Sequence, residues 1–316
     1  MPENHNSVVV ENLVKQFGDF IAVDHINLET RKGEVFGFLG PNGAGKSTTI
    51  RMLCGLLRPT SGRAQVAGYD VGSEPESVRQ NIGYMSQKFS LYNDLKVVEN
   101  IRLFAGLYSV PSNQLKERIE WALEMANLKG QESLITGTLP GGWKQRLALG
   151  CAVLHKPPII FLDEPTSGVD PISRRQFWDL IHHMAEEGVT VFVTTHYMEE
   201  AEYCNRLALI FRGKMVALGT PSELKQKSMK GELLLVECDP LGKAVDVLQS
   251  ARDVMAAAVF GNALHLVVRN AAAAIPEVTK YLADRNVSVD RVEKIRPSLE
   301  DVFVSLTTAR DSEQKA

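Results

Sequence analysis

The segment from Gly40 to Thr48 has the residue types and the spacing of a phosphate-binding loop. It reads Gly40-Pro41-Asn42-Gly43-Ala44-Gly45-Lys46-Ser47-Thr48 and fits the pattern G-x-x-x-x-G-K-[ST] in full. A glycine-rich loop at the start of a helix directs backbone N–H groups and the positive end of the helix dipole at one anion. Lys46 is therefore expected to reach the β- and γ-phosphates of a nucleotide, and the Ser47 hydroxyl to coordinate Mg²⁺.

The residues on either side of this loop predict the elements that must position it. Glu34 to Leu39 are mainly apolar and predict a buried strand, and Ser47 to Leu57 predict a helix that ends before Arg58-Pro59. An ordinary glycine-rich turn is the alternative interpretation. The complete motif between a strand and a helix favours nucleotide binding over that alternative.

A second segment, residues 157–165 (PPIIFLDEP), places two acids at the end of an apolar run. The run predicts a short buried strand that ends in Asp163 and Glu164. Carboxylate oxygens are the ligands of hard cations, so Asp163 is predicted to bind Mg²⁺. Glu164, one residue further, is predicted to hold and deprotonate an attacking water. The alternative is an acidic pair that only closes the strand.

The rest of residues 8–218 alternates strand and helix signals, as an α/β layer structure requires. Residues 8–13 and 26–29 predict strands of an antiparallel flank. Asp170 is predicted to cap a helix with Pro171 at its first position, and Gly188 is predicted to end it. Residues 189–195 then predict another buried strand.

The character of the chain changes after a capping box at Thr220 and Glu223, which predicts a short helix ending near Lys230. Strand, helix, strand, strand, helix and strand signals follow, over residues 232–237, 241–249, 254–260, 263–268, 272–283 and 287–295. That order is typical of a small ferredoxin-like α+β domain. A last helix is predicted over residues 298–307. We therefore predict two domains, residues 1–225 and residues 226–316.

The composition of the 316 residues is that of an ordinary globular protein, with 44% hydrophobic and 23% charged residues. A net charge of -3 gives no reason to expect a nucleic-acid partner. No apolar run approaches the roughly 18 residues that cross a bilayer, and the first residues are polar, so a cytoplasmic location is expected. The four cysteines form no C-x-x-C pair and are expected to be free, buried thiols.

The order of these motifs resembles the ATP-binding subunit of ABC transporters, over roughly residues 7–225. Asp163-Glu164 matches the Walker B motif with its catalytic glutamate, and residues 139–146 (LPGGWKQR) match the signature sequence. Residues 167–170 match the D-loop. Three single residues also match, namely the adenine-stacking aromatic Phe17, the Q-loop glutamine Gln87 and the switch histidine His196. Residues 297–303 (PSLEDVF) resemble the ending of drug-resistance export ATPases of the daunorubicin-resistance kind.

The resemblance implies a P-loop NTPase of the ABC ATPase type, with a RecA-like α/β core, an antiparallel β flank and a helical subdomain. It also implies that two such domains, identical or paralogous, enclose two ATP·Mg²⁺ head to tail. Gln87 would sense the γ-phosphate, Mg²⁺ and the attacking water, His196 would contact the γ-phosphate, and Glu164 would polarise the water. Asp170 would link the two sites across the dimer.

The signature residues Pro140, Gly141 and Gly142 would, by the same resemblance, contact the nucleotide held by the second subunit. The family usually has L-S-G-G-Q, so Pro140 replaces a serine and Trp143 a glutamine. Losing a hydrogen bond to a charged group costs about 1.5–3 kcal/mol. Two interpretations stay open, namely a working site with a weaker contact to ATP and a site that binds ATP but hardly hydrolyses it.

The resemblance also implies a separate integral-membrane permease, which would hold this chain on the inner face of the membrane. The expected docking region is the Q-loop segment around Phe89–Leu95, whose aromatic and aliphatic side chains could anchor an interface. The alternative is a loop folded over its own core. Export of a drug, lipid or similar amphiphile is expected, and the alternative function is a regulatory or non-transport soluble ABC ATPase.

Overall fold

The computed structural model describes residues 6–87, 91–227, 229, 231–248, 251 and 253–313, with side chains to residue 307. The chain divides into two compact units, residues 1–218 and residues 219–316. The predicted domain boundary between residues 225 and 226 lies shortly after this division and stays a prediction.

The first unit contains two sheets. Its strands are β1 (Asn6–Phe17), β2 (Phe20–Arg31), β3 (Val35–Leu39), β4 (Ser61–Val66), β5 (Tyr69–Asp70), β6 (Ile82–Met85), β7 (Ile159–Asp163), β8 (Thr190–Thr195), β9 (Arg206–Phe211) and β10 (Lys214–Gly219). One sheet has the order β2-β1-β4-β5 and the other β10-β9-β3-β8-β7-β6. The pairs β1–β2 and β1–β4 are antiparallel, which confirms the predicted flank.

The larger sheet is the core of the unit. Its strands β9, β3, β8, β7 and β6 run parallel, and β3, β7 and β8 are buried at every residue. Parallel sheets are covered on both faces, which explains why these strands read as continuous apolar runs. Three aromatic rings, Phe36, Phe161 and Phe192, pack together on neighbouring strands.

Six α-helices complete the described part of this unit. They are α1 (Lys46–Leu53), α2 (Pro75–Gln80), α3 (Val97–Leu107), α4 (Leu115–Met125), α5 (Gly141–Ala152) and α6 (Pro171–Glu186). Helices α3, α4 and α5 pack on one another around buried residues such as Ile101, Ala122 and Leu147. This packing is the helical subdomain that the sequence resemblance implied.

Helix α1 is shorter than predicted, because it ends at Leu53 and not at Leu57. Gly55 adopts a left-handed backbone with φ of 65° just past the helix end. The N–H of Gly55 then donates to the carbonyl of Met52, and the N–H of Leu56 to that of Arg51. This pair of bonds closes the last turn and stops the helix before the Arg58-Pro59 signal.

Helix α6 begins and ends where the sequence predicted. The Asp170 side chain accepts a hydrogen bond from the N–H of Ser173, and Pro171 occupies the first helical position. At the other end Gly188, with φ of 93°, follows the C-cap residue Glu187. The cap fixes the direction in which the chain enters α6, next to the predicted D-loop.

The second unit has the predicted ferredoxin-like order. Its elements are α7 (Pro221–Lys227), β11 (Glu232–Asp239), α8 (Leu241–Leu248), β12 (Val254–Phe260), β13 (Ala263–Val268), α9 (Ala271–Ala283), β14 (Ser288–Ile295) and α10 (Leu299–Glu313). The sheet order is β12-β13-β11-β14, with antiparallel neighbours. The predicted capping box is present, since Thr220 and Glu223 each bind the other's backbone N–H.

Two predicted helix ends in this unit, Lys230 and Gln249, lie outside the described residues. The last helix runs on to Glu313, beyond the predicted end at Thr307, because no glycine or proline interrupts it. Across the described residues, no helix combines the length and the apolar character that crossing a bilayer requires. All four cysteines are free and buried, as predicted.

Candidate functional site

The predicted catalytic segments meet at one edge of the parallel sheet. The glycine-rich loop follows β3, Asp163 and Glu164 end and follow β7, His196 follows β8, and Gln87 lies two residues after β6. These four strands are neighbours in the order β3-β8-β7-β6 and run parallel. Since the carboxyl ends of parallel strands share an edge, the order of the strands brings the segments together.

The lysine of the glycine-rich loop is buried at this edge. Lys46 is 4% exposed, and its ammonium donates to the carbonyls of Gly40 at 2.8 Å and Pro41 at 3.2 Å. It also lies 3.0 Å from Oε1 of Glu164. Gly45 is the N-cap of α1, so the loop leads straight into the helix. The positive end of α1 and the Lys46 charge therefore face the same place.

Backbone hydrogen bonds at Ala44 fix the conformation of the glycine-rich loop. The N–H of Ala44 donates to the carbonyl of Pro41 at 3.1 Å, and the N–H of Gly213 donates to the carbonyl of Ala44 at 3.0 Å. Ala44 and Gly45 are buried, Pro41, Ser47 and Thr48 are half-buried, and Asn42 and Gly43 are exposed. The loop is thus held in place at Ala44 and exposed to solvent at Asn42 and Gly43.

Glu164 is the centre of the site. Its Oε2 accepts a hydrogen bond from Nε2 of Gln87 at 3.0 Å and lies 3.1 Å from Nδ1 of His196. The side chain is 6% exposed. Its backbone has φ of 49°, a left-handed conformation that is uncommon for a residue other than glycine. Such strain collects at functional sites, where the surrounding structure imposes it.

Asp163 lies beside the glycine-rich loop. Its Oδ1 accepts from the Ser47 hydroxyl at 3.1 Å and from the Thr194 hydroxyl at 2.7 Å. Burial raises the pKa of Asp163, and these two hydrogen bonds act against that effect. The Thr194 hydroxyl also accepts from the N–H of Glu164 at 3.0 Å, so it fixes both acids.

Thr194 was not predicted as a site residue, because in the sequence it is one residue of a run that predicts a buried strand. It faces Asp163 because β7 and β8 pair in register, Asp163 with Thr194. A polar residue at the end of a buried strand was the available signal, but its partner depends on the pairing of strands, which the sequence does not specify.

The donors at this edge fit a Mg²⁺ ion that is shared with phosphate. Ser47 and Asp163 offer two adjacent oxygens, which is the ligand type that Mg²⁺ prefers. No group of three or more His, Cys, Asp or Glu side chains that could hold a metal occurs within the described ranges. This arrangement fits Mg²⁺, which is commonly bound by one or two protein ligands together with substrate phosphates and water.

The signature residues start helix α5. Pro140 is its N-cap, and its carbonyl accepts from the N–H groups of Trp143 and Lys144, both at 3.1 Å. Gly142 faces Ser173 on α6 so closely that a Cβ atom on Gly142 would lie 2.4 Å from the Ser173 hydroxyl. Gly141 has open space where a Cβ would be. A proline without an N–H fits the N-cap, because that N–H takes no part in the helix.

Asp170 and Phe17 lie at the ends of other elements. The bond from the N–H of Ser173 lowers the pKa of Asp170 and keeps its carboxylate charged. Phe17 ends β1 and is 48% exposed, with the Lys15 ammonium 4.9 Å from its ring centroid. The structure thus brings Gln87, Glu164, His196 and the loop together, and places Pro140–Gly142, Asp170 and Phe17 at the starts of α5 and α6 and the end of β1.

The predicted docking segment is described in part, since Phe89 lies outside the described residues together with its neighbours 88 and 90. Leu91 is 7% exposed and belongs to the core, whereas Tyr92 is 56% exposed. The fully buried Asn100 holds the backbone of Tyr92 through two hydrogen bonds, both of 2.9 Å. Leu91 and the backbone of Tyr92 are therefore fixed to the core, while the ring of Tyr92 is exposed.

Comparison with known proteins agrees with this geometry. Residues 23–167 match the family model of the ABC transporter, and residues 219–307 match the model of the C-terminal domain of DrrA1-3-like ATP-binding proteins. A solved ATP-binding cassette, MJ0796, described as a dimeric post-hydrolysis state bound to ADP and phosphate, superposes with a TM-score of 0.61 at 28% identity. That superposition covers 67% of this chain and 98% of the cassette.

Two curated relatives extend the match. The probable multidrug ABC transporter ATP-binding protein YbhF of Escherichia coli is 54% identical over 225 residues, which are 71% of this chain and 39% of YbhF. The chain thus spans well under half the length of that relative. The linearmycin resistance ATP-binding protein LnrL of Bacillus subtilis is 35% identical over 308 residues, which are 95% of this chain and 99% of LnrL. With this nearly full-length match and both family models, the chain belongs to the ABC transporter family, among its ATP-binding proteins with a DrrA-type C-terminal domain.

Proposed function

We propose that this chain is the ATP-hydrolysing subunit of an ABC exporter that works with a separate membrane permease. The observation that carries the proposal is the convergence of Lys46, Gln87, Glu164 and His196 on one point, with the oxygens of Ser47 and Asp163 beside it. A phosphate cradle, a cation site and a general base at one sheet edge are the parts that nucleotide hydrolysis needs.

Each residue at this edge has a role in the proposed reaction. Lys46 leaves its carbonyl partners and binds the β- and γ-phosphates of ATP. Glu164, freed from Lys46, orients a water and takes its proton, while Gln87 and His196 hold that carboxylate and contact the γ-phosphate. Ser47 and Asp163, with the amide of Gln87, would hold Mg²⁺, which neutralises phosphate charge when bound.

We propose that two subunits close around two ATP molecules. Support comes from the dimeric cassette MJ0796 and from the position of the signature residues at the start of α5, away from the loop in sequence. Gly141 and Gly142 would present backbone N–H groups to the γ-phosphate bound by the other subunit. Asp170 would join the two sites, and Phe17 would stack on adenine.

The test is phosphate release by the purified full chain with ATP. We expect hydrolysis that requires Mg²⁺ and stops with EDTA. Lys46→Ala should abolish it, because the variant loses the charged donor to the phosphates. Lys32→Ala, which changes an exposed lysine, is the matched control and should keep wild-type activity. A wild-type chain that neither binds nor hydrolyses ATP with its membrane partner present would contradict the proposal.

The partner is proposed to dock on the segment that contains Tyr92. Its ring is exposed and its backbone is held by the Asn100 side chain, so it can serve as an interface anchor. Tyr92→Ala is expected to weaken co-purification with the permease and to leave basal hydrolysis unchanged. Phe20→Ala, which removes another exposed ring, is the control. Absence of any membrane protein in the purified complex would favour the regulatory, non-transport alternative.

A further inference from the structure

A cluster next to the proposed catalytic site joins three segments through Arg174, on the first turns of α6. Nη2 of Arg174 donates to the carbonyl of Val169 in the D-loop at 3.3 Å. The guanidinium carbon lies 4.5 Å from the ring centroid of Tyr197, which follows His196. Nε lies 3.4 Å from Oε1 of Glu200. One side chain therefore touches the D-loop, the residue after the switch histidine, and a buried acid.

The buried acid is Glu200, which is 1% exposed. Its Oε1 also accepts a hydrogen bond from the hydroxyl of Thr166, which is itself 1% exposed and lies two residues after Glu164. Its Oε2 has no hydrogen-bond partner among the described residues. Nε of Arg174 lies near Oε1 as an ion pair but makes no hydrogen bond. Glu200 thus contacts both Arg174 and Thr166, which follows the catalytic glutamate closely in the chain.

This arrangement is a poor way to gain stability. Glu200 is buried and Arg174 is 23% exposed, and an ion pair that is largely buried recovers its desolvation cost only when the geometry is good and the remaining lone pairs are satisfied. Here one oxygen of Glu200 and Nε of Arg174 lack hydrogen bonds. An apolar contact of the same size would fill this space at lower cost. The value of the pair therefore lies in the positions that it imposes on the segments around it.

Those segments carry the proposed chemistry. Tyr197 packs on His196 with ring centroids 4.1 Å apart. The N–H of Ser167, the residue after Thr166, donates to the carbonyl of Glu164 at 3.2 Å. A shift of Glu200 would therefore move the switch histidine through Tyr197, and the catalytic glutamate through Thr166. The two side chains contact each other, since Nδ1 of His196 lies 3.1 Å from Oε2 of Glu164.

We infer that Glu200 and Arg174 are positioning residues, which set the distance between the switch histidine, the D-loop and the catalytic glutamate; the inference rests on the proposed ATP hydrolysis. Neither residue touches the nucleotide-binding loop in the contacts described above. The pair acts on the step after ATP has bound, when His196 and Glu164 must meet the γ-phosphate and water together. Because the D-loop is proposed to join the two sites, the contact of Arg174 with Val169 links this positioning to the second subunit.

The charge of Glu200 is tested with Glu200→Gln in the full chain, which keeps the shape and the acceptor for Thr166. We expect kcat to fall about tenfold to a hundredfold, because a small misplacement of catalytic groups has effects of this size. The KM for ATP should stay within about twofold of wild type, since the loop residues are unchanged. Glu199→Gln makes the same chemical change at the neighbouring exposed position and is the matched control.

A second variant covers the case in which Glu200→Gln does not fold. Arg174→Lys keeps the positive charge and removes the planar group that reaches Val169 and Tyr197, and exposed Arg175→Lys is its control. We expect the same loss in kcat at unchanged KM, and the double variant should lose no more than the worse single variant. Equal kcat in each variant and its control, with wild-type hydrolysis intact, would overturn the inference. An inactive wild-type chain would instead contradict the proposed function.

Discussion

The ammonium nitrogen of Lys46 lies 3.0 Å from Oε1 of Glu164, and both side chains are almost fully buried. Each charge offsets the desolvation cost of the other, because a buried charge without a partner is strongly destabilising. Nucleotide phosphates would compete with Glu164 for Lys46, because both offer anionic oxygens. The proposed catalytic base is thus released by the arrival of the substrate on which it acts.

Glu164→Gln is expected to abolish turnover, by about a hundredfold to ten-thousandfold, and to leave ATP binding intact. Gln keeps the shape of the side chain but cannot accept a proton, and a positioned general base contributes about this much. Single-turnover hydrolysis and equilibrium ATP binding measure the two effects separately. Glu199→Gln is the control, and undiminished turnover in Glu164→Gln would remove Glu164 from its assigned role.

Asp163→Asn is expected to abolish Mg²⁺-dependent hydrolysis and to stabilise the nucleotide-free protein at neutral pH. Burial raises the pKa of Asp163 above its ordinary value of 3.8, so the folded chain binds the proton more tightly than the unfolded chain. Stability therefore falls as pH rises from about 3.8 through the raised pKa, and the cost is complete above it. Asn carries no charge and avoids this cost.

Thermal unfolding between about pH 4 and pH 8 tests the sign of that effect, because the window begins near the ordinary pKa of the carboxyl. A gain of 1 kcal/mol raises the Tm by about 2–4 °C in a domain of this size. We expect the difference in Tm between Asp163→Asn and wild type to shrink as the pH falls. A difference that is constant with pH would show that the charge of Asp163 costs no stability.

Phe17→Ala is expected to weaken ATP binding by about fivefold to a hundredfold without loss of stability. Stacking of a base on an aromatic ring is worth about 1–3 kcal/mol, and the ring of Phe17 is half exposed, so little core packing is lost. Phe20→Ala, which removes the more exposed ring paired with Phe17 across the hairpin turn, serves as control. Equal Kd values for the two variants would exclude adenine stacking by Phe17.

Pro140→Ser is expected to raise kcat by about tenfold to a hundredfold. A serine hydroxyl at the N-cap of α5 would add a hydrogen bond to a charged phosphate, worth about 1.5–3 kcal/mol, and serine is itself a good N-cap residue. Steady-state hydrolysis by wild type and variant decides between the two interpretations of this position. A wild-type rate near background that the serine restores would identify a degenerate signature, and an unchanged rate would show that Pro140 costs nothing.

Much of the fold and of the site could be predicted from the sequence, because the signals were local. The loop from Gly40 to Thr48 carries its strand, turn and helix within a few residues, and the cap at Asp170 and the box at Thr220 and Glu223 are short-range bonds. The order of elements in residues 232–295 was enough to indicate the ferredoxin-like sheet. The meeting of Gln87, Glu164 and His196 came from the family resemblance, since these residues are far apart in the chain.

The parts that could not be predicted depend on contacts between distant segments. Arg174 and Glu200 carried no prediction, and only the packing of α6 against the chain after β8 brings the half-buried Arg174 to the buried Glu200. Thr194 likewise has no signal of its own. The early end of α1 was a local error, because Gly55 was a stronger stop than the Pro59 that the prediction used.

The register of the central strands limits how this chain can change by insertion or deletion. Leu39 pairs with Thr195, and Asp163 with Thr194, so β3, β7 and β8 end within one residue of one another. One added residue within β7 would turn Asp163 to the opposite face of the sheet and withdraw Glu164 from His196. Insertions are tolerated in the surface connections, where added residues leave the alignment of the strand ends unchanged.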